Sequence, residues 1–555
     1  MAGASGKHEE LSFSCNPDAR AEKTLQRLSR RELSNSLRDL LSASTNASTA
    51  SAVMSAIDGA LQQYPLDATT KIAPFATMDQ SVSQAHVDAL MQIGIAVGQQ
   101  LTSSNERLQL LLGACVQGSD PQGCVRTFIA NFGRRVLRHE LNDAEKAFYG
   151  EVYDASGSKV DAQGVADVVA VMLNAPDFLY RIEYGAKKVK NTLFALNDYE
   201  IATRLSYLLW QTAPDEELLQ AASDGELSSD AGYGAQLDRM LKDPRAGEAI
   251  EQFAREWLAL DALRPLDSLN GTPVFDTFTG KDKPSATLKE EMIQDLTDSL
   301  AYHAQRELGT LQEWLESPYS FARSQALAAI YQTPVWDGKS EPPRMPEGVR
   351  AGLVTRAVLL ATGSANTRPI MKGVLIRERL LCDELGPPPP NSFGKLPDLS
   401  NEKTTRELVE AVTQQPGSAC AGCHATQINP LGFATENFDA LGRTRKAQDL
   451  YDANGKVLGA KAIDTSSVPR VWMNDTTPAH GAADLTRMLV ESGKVEACFA
   501  REYVRYAAAR AEDLNKDGCE LEAIRSTLDR GAGILDALRA LALLPQFRQK
   551  LVPSS

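Results

Sequence analysis

One pentapeptide restricts what this 555-residue chain can fold into more than any other stretch. It is Cys420-Ala-Gly-Cys423-His424, inside "SACAGCHATQINPLGF" (418–433). Two thiols three positions apart suit a metal site, a redox disulfide or covalent haem attachment, and each needs its own setting. A structural zinc site needs four ligands, supplied by two Cys-x-x-Cys pairs or by one such pair and a later pair of histidines. No second pair exists, and the six histidines (8, 86, 139, 303, 424 and 480) are scattered. A thioredoxin-like motif needs a strand leading in and a parallel sheet nearby, whereas the flanking text is helical. Haem c attachment needs what is present: two thiols for two vinyl groups, and an imidazole on the next residue to reach iron from the same side. The pentapeptide therefore predicts one covalent haem c on Cys420 and Cys423, with His424 as the proximal iron ligand.

The neighbouring residues extend the prediction. The His424 Nδ1–H is expected to donate to a carbonyl, which fixes the tautomer and tunes the iron. The "INPLG" turn (428–432), with Pro430, is the candidate source of that carbonyl and of a wall against the haem face. Arg443 and Arg445 in "GRTR" are candidates to pair with haem propionates; solvated surface arginines are the alternative. On the sixth iron position a thioether favours the reduced state, and a second imidazole lowers the potential. Met473 in "SSVPRVWMNDTTPAH", Met371 in "RPIMKG" and His480 are the candidates there, with an open position as the alternative. Met488 lies on a helix face and belongs to a core. "DLNKDG" (513–518) opens like a calcium loop, with Asp513, Asn515 and Asp517 at alternate positions. Its twelfth position is Ile524 where a bidentate acid is required, so a helix-terminating turn is the better reading. No catalytic residue is assigned: no G-x-S-x-G, Walker loop or dinucleotide fingerprint occurs, and His139 and His303 read as structural.

Six cysteines remain. Cys115 and Cys124 close a short loop, Cys498 and Cys519 flank a helix and turn, and elimination then pairs Cys15 with Cys382. Three disulfides imply an oxidising compartment. "MAGASGKHEELSFSC" has no apolar signal core, so an export signal is expected to have been removed before this start. No run approaches the roughly 18 apolar residues of a spanning helix. Fifty-eight basic and seventy-two acidic side chains leave −14, a poor match for nucleic acid or an anionic membrane surface.

The rest reads as helices. In "NDYEIATRLSYLLW", Asn197 and Glu200 form a capping box, and Ile201, Leu205 and Leu208 share one face. "AIEQFAREWLAL" aligns Ile250, Phe253 and Trp257; "PSATLKEEMIQDLTDSL" starts at Pro284 and aligns Leu288, Met292, Leu296 and Leu300. "YDANGKVLGAKAID" offers an Asn-Gly turn between two extended pieces. "SASTNASTASA" (42–52) reads as a loop or linker, as do 154–164 and 336–348, and "ELGPPPPNSFGKLPDLS" (384–400) as a stiff polyproline spacer. The fold class is mainly α: a multidomain helical protein with a cytochrome-c-like haem domain and a short β-hairpin near 446–470. The expected partition is an N-terminal helical domain (1–75), a helical domain with a disulfide (76–155), a central helical domain (165–335), a haem c-binding domain (345–450) and a C-terminal helical domain (451–555).

These segments together resemble the planctomycete-type cytochrome c proteins built from tandem uncharacterised domains, the group named for domain of unknown function 1592. "LQRLSRRELSNSLRDLL" is similar to its opening domain and "IANFGRRVLRHELNDAEKAFY" to the next. "YEIATRLSYLLWQTAPDEELLQAASDGEL" resembles the central signature. "RAGLVTRAVLLATGSANTRPIMKGVLIRERLLCDELGPPPP" followed by "CAGCHATQINPLGFATENFDALGRTR" resembles the haem domain, and "VEACFAREYVRYAAAR" the closing one. The resemblance implies an exported haem protein with Cys420, Cys423 and His424 at the haem positions, and a secreted companion, often encoded nearby. It supplies no reaction. Where the family commonly has arginine before the glycine of "RPIMKG", this chain has Lys372. The leading expectation is a periplasmic or cell-surface monohaem cytochrome c that exchanges electrons with a protein redox partner. The alternatives are a haem-dependent oxidase or peroxidase acting on an extracellular substrate, and a redox-sensing or scaffold protein with structural haem.

Overall fold

The computed structural model describes residues 11–22, 25–153, 157–190, 192–306, 309–350, 352–387 and 402–552. Most of the expected spacer (388–400) and residues 154–156 of one expected linker lie outside them. Helices dominate, and the strands are few, short and antiparallel. Contacts group the chain into two compact units, each assembled from separated stretches. No helix among the described residues is long and apolar enough to cross a membrane.

One unit comprises 16–249, 505–517 and 541–555. Its helices Arg30–Ser44 and Asp198–Leu209 begin on capping boxes, Ser29 with Glu32 and Asn197 with Glu200, each satisfying two orphan amides reciprocally. Ile201, Leu205 and Leu208 are buried along one stripe, as their spacing predicts. The helices Gln84–Leu101 and Ala162–Leu173 pack with their backbones close, because a Cβ at Gly98 would collide with the Ala166 carbonyl. The expected linker at 42–52 is helical instead. Helix Arg30–Ser44 runs into it, and Ala47–Ala56 follows after one break. Alanine is the best helix former, Asn46 accepts the Thr49 amide, and Ala50 and Val53 supply a buried face. Cys115 and Cys124 are joined, as expected.

The other unit comprises 250–504 and 518–540 with the opening stretch, of which 11–15 are described. Phe253, Trp257, Trp314, Phe499 and Tyr503 form a cluster of touching rings at its centre. Helix Leu288–Gln305 buries the predicted Leu288, Met292, Leu296 and Leu300, though it starts at Leu288, after Pro284. On the same helix Asp295 is fully buried and accepts from Phe321 N, Tyr331 Oη and Arg356 Nη1, partners that offset its loss of water. The hairpin is present as strands Ala447–Tyr451 and Val457–Ala462, paired from Ala447↔Ala462 to Tyr451↔Val457. Its turn is organised by Asp452, whose carboxylate accepts the Asn454 and Lys456 amides. Gly455 has a positive φ and sits where a Cβ would strike Pro273.

Two expected disulfide pairings are corrected. Cys15 is bonded to Cys519, and Cys382 to Cys498. Pairing by sequence proximity fails because the opening stretch returns to the helix Gly518–Asp529. There the Phe13 amide donates to Glu522 Oε2 (2.9 Å), and Ser14 lies where only a glycine at 518 leaves room.

Candidate functional site

Cys420 and Cys423 are the two cysteines outside disulfides. They lie on the short helix Ala419–Cys423, capped by the Ser418 hydroxyl accepting the Ala421 amide (3.3 Å). Cys420 is half-buried and Cys423 exposed. The chain continues as a π-turn, His424–Ile428, and tightens again over Asn429–Phe433. Pro430 accounts for the widening: it has no N–H for the carbonyl four residues back, and its ring would clash with that carbonyl. The extra residue changes which side chain stands one turn above His424. With α-helical spacing that would be Ile428; with the wider turn it is Asn429.

His424 Nδ1 lies 3.0 Å from Asn429 Oδ1. The buried network beyond it decides who donates. The Thr413 hydroxyl donates its one hydrogen to the Val409 carbonyl (2.6 Å), so toward Asn429 it can only accept. The Asn429 amide nitrogen therefore faces Thr413 (2.9 Å), and its oxygen faces His424. Nδ1 must then carry the proton, which leaves the Nε2 lone pair for a metal. Asn429 is fully buried and Thr413 nearly so. The acceptor thus lies within 428–432 as expected, but it is a side-chain amide and not a main-chain carbonyl. Asn429 and Thr413 were missed by the sequence reading; the Asn-Pro dipeptide was the only local signal.

The helix Pro369–Leu375 crosses this segment with backbone against backbone. A Cβ on Gly373 would strike the Ile428 carbonyl, and one on Gly432 would strike the Pro369 carbonyl. Beyond it, buried Arg377 donates to the carbonyls of Gln427 (3.1 Å), Arg470 (3.0 Å) and Pro469 (3.0 Å) and pairs with Asp383 (2.9 Å). The Ser467 hydroxyl donates to the carbonyl of buried Pro430 (2.7 Å). The loop leading to Met473 is therefore fastened to the His424 segment, and Met473 itself is exposed. Met371 is placed differently. It stands about 200° round its helix from Pro369 and Gly373, and lines a separate aliphatic cavity with Leu260 and Val358. His480 is exposed, with Nδ1 3.4 Å from Ser466 Oγ. Met488 is buried, as expected.

Both arginines expected at haem propionates are engaged by carboxylates of their own segment. Arg443 pairs with Asp439 (2.7 Å) and donates to the Phe278 carbonyl; Arg445 pairs with Glu436 (3.1 Å) and donates to its carbonyl. Lys372 is buried and donates to Thr435 Oγ1 (2.9 Å); loss of water pulls its pKa down to about 8. The "DLNKDG" segment is a turn, not an ion loop. Asp517 is held by Arg510 (2.7 Å), and Asp513 accepts the Asn515 and Lys516 amides. Among the described residues, the only trio of potential metal ligands converging on one point is Cys382, Cys498 and Glu502, and its sulfurs are joined to each other.

Residues 196–333 match a protein of unknown function, DUF1592; residues 350–448 match DUF1588; residues 124–183 match DUF1595. Together these cover just over half of the chain. The chain belongs to this planctomycete cytochrome c-associated family. In this DUF1592-type protein, the DUF1588 match contains the Cys420–His424 motif, Asn429 and the helix that crosses them. No curated protein and no solved structure matches the chain.

Proposed function

We propose that this protein carries one haem c, bound through Cys420 and Cys423, and passes single electrons to or from a protein partner in an oxidising compartment. The carrying observation is the state of the donor set. Every other cysteine is consumed in a disulfide, while these two thiols stay free beside an imidazole whose Nδ1 faces the Asn429 carbonyl oxygen, so that its neutral form offers Nε2 as a ligand. The donors also fail to converge on one point, as a tetrahedral zinc ion would need.

When bound, the haem would supply reversible one-electron chemistry. The residues of the chain do the rest. Asn429 and Thr413 orient the imidazole and keep its proton on Nδ1. Arg377 and Ser467 hold the Met473 loop against the same segment, so Met473 is the residue that would hold the haem iron together with His424. His303 supports the same reading. Burial drives its pKa down to about 4, and it packs against the Tyr302 and Tyr319 rings as a neutral core residue. The acidic surface suits a basic partner in a salt-sensitive encounter.

Protein matured in a host with haem-attachment machinery should carry the mass of one porphyrin, lost in Cys420→Ala/Cys423→Ala. Its reduced spectrum should not change under carbon monoxide. A missing porphyrin mass removes the proposal; ready carbon monoxide binding replaces electron transfer with the oxidase or sensor reading.

A further inference from the structure

The cavity on the far side of helix Pro369–Leu375 is not part of the haem-attachment segment. Its volume is about 300 Å³, and it is an open cleft lined by residues of 258–264, 358–362 and 368–379. This is the lower end of the roughly 300–1,000 Å³ common for small-molecule sites. The walls are mostly aliphatic, including Leu260, Val358 and Leu375, and Met371 stands at the mouth, 56% exposed.

Its lining is basic. Arg264, Arg368 and Arg379 all line it, Arg264 exposed and the other two half-buried, and no side-chain hydrogen bond or ion pair engages the three guanidiniums among the described residues. The chain carries more acids than bases, and its other arginines are commonly matched, as in Arg356–Asp295, Arg377–Asp383 and Arg239–Asp215. Glu378 is the one carboxylate lining the cavity. Loss of water and the nearby Arg264 both make the charge on Arg368 unfavourable. Three guanidiniums against an aliphatic wall with one carboxylate among them leave an excess of positive charge that an anion relieves, and their planar fork matches a carboxylate. An inorganic anion would leave the wall unused, and a neutral apolar molecule would leave the arginines unpaired.

We propose that this cavity binds a medium-chain monocarboxylate, with its headgroup between Arg264 and Arg368 and its alkyl body along Leu260, Val358 and Leu375.

Calorimetric titration of the full-length protein with octanoate, octanamide and acetate tests this. Octanoate should bind saturably at one site. Octanamide, of equal length but uncharged, should bind at least about tenfold more weakly because it lacks the charge-assisted bonds. Acetate should give no saturable heat. Arg368→Ala should weaken octanoate about tenfold or more, and Met371→Glu should do the same by repelling it at the mouth. Arg487→Ala, at an exposed position outside the cavity, should bind as the parent does. Circular dichroism checks the fold of each variant, and Arg264→Ala replaces Arg368→Ala should the latter misfold. The proposal is overturned if octanoate does not saturate, if octanamide binds equally well, or if the folded arginine variant retains full affinity.

Discussion

Replacing Asn429 tests the site where its geometry is most specific. This fully buried amide accepts from His424 Nδ1 and donates to Thr413. Asn429→Leu keeps the branched shape, with a larger volume, and removes both bonds. At about 0.5–1.5 kcal/mol for each neutral hydrogen bond, the expected loss of stability is about 1–3 kcal/mol. The effect on the iron is separable from that loss. A hydrogen-bonded imidazole is a more basic ligand, and a more basic ligand favours oxidised iron. Asn429→Asp makes the acceptor charged, and such a bond is roughly twice as strong, which adds about 1 kcal/mol. A tenfold change is about 1.4 kcal/mol, or about 59 mV for one electron, so the shift is about 40 mV when all of that strengthening falls on the oxidised state. Spectroelectrochemical titration at pH 8 should place the aspartate variant about 40 mV below the parent and the leucine variant above it. Thr413→Val, which breaks only the outer bond, should shift the midpoint in the leucine direction by less. Three midpoints that coincide, or aspartate and leucine shifts of the same sign, would refute the assignment of Asn429 as the group that orients and polarises His424.

Gly373→Ala forces a methyl group against the Ile428 carbonyl; denaturant unfolding should show a loss of about 1–3 kcal/mol, the usual cost of overpacking. Met473→Ala should change the reduced visible spectrum and open the iron to carbon monoxide, whereas Met371→Ala, on the other side of its helix, should leave the spectrum as in the parent. Glu496 is buried, accepts from Gln312 Nε2 (2.6 Å), and loss of water raises its pKa to about 7 from 4.5. The folded state therefore keeps a proton that the unfolded chain releases near 4.5. Its contribution, up to about 3 kcal/mol, is complete below pH 4.5 and is lost as pH rises through 7. Glu496→Gln should flatten that part of the stability profile, and equal slopes in the two proteins between pH 4.5 and 7 would contradict it.

What could be read from the sequence follows from the range of the interactions involved. Helical stripes such as Leu288, Met292, Leu296 and Leu300 are local patterns, and all four are buried as predicted. The hairpin was legible for the same reason, since Asp452, Asn454 and Gly455 set its turn among themselves and their neighbours. The pairing of Cys15 with Cys519 was not, because it depends on the opening stretch meeting a helix about five hundred residues later. The 42–52 stretch was misread because small polar residues resemble a linker until the burial of Ala50 and Val53 is known. The site shows the limit most sharply. Counting an α-helical turn from His424 puts Ile428 above the imidazole, a residue that cannot accept its proton. Pro430 adds one residue to the turn and brings up Asn429 instead. Pro430 thus matters to His424 through the spacing it imposes as well as through any surface it offers. A substitution that restored a backbone N–H at 430 while leaving every nearby side chain intact should still disturb the imidazole.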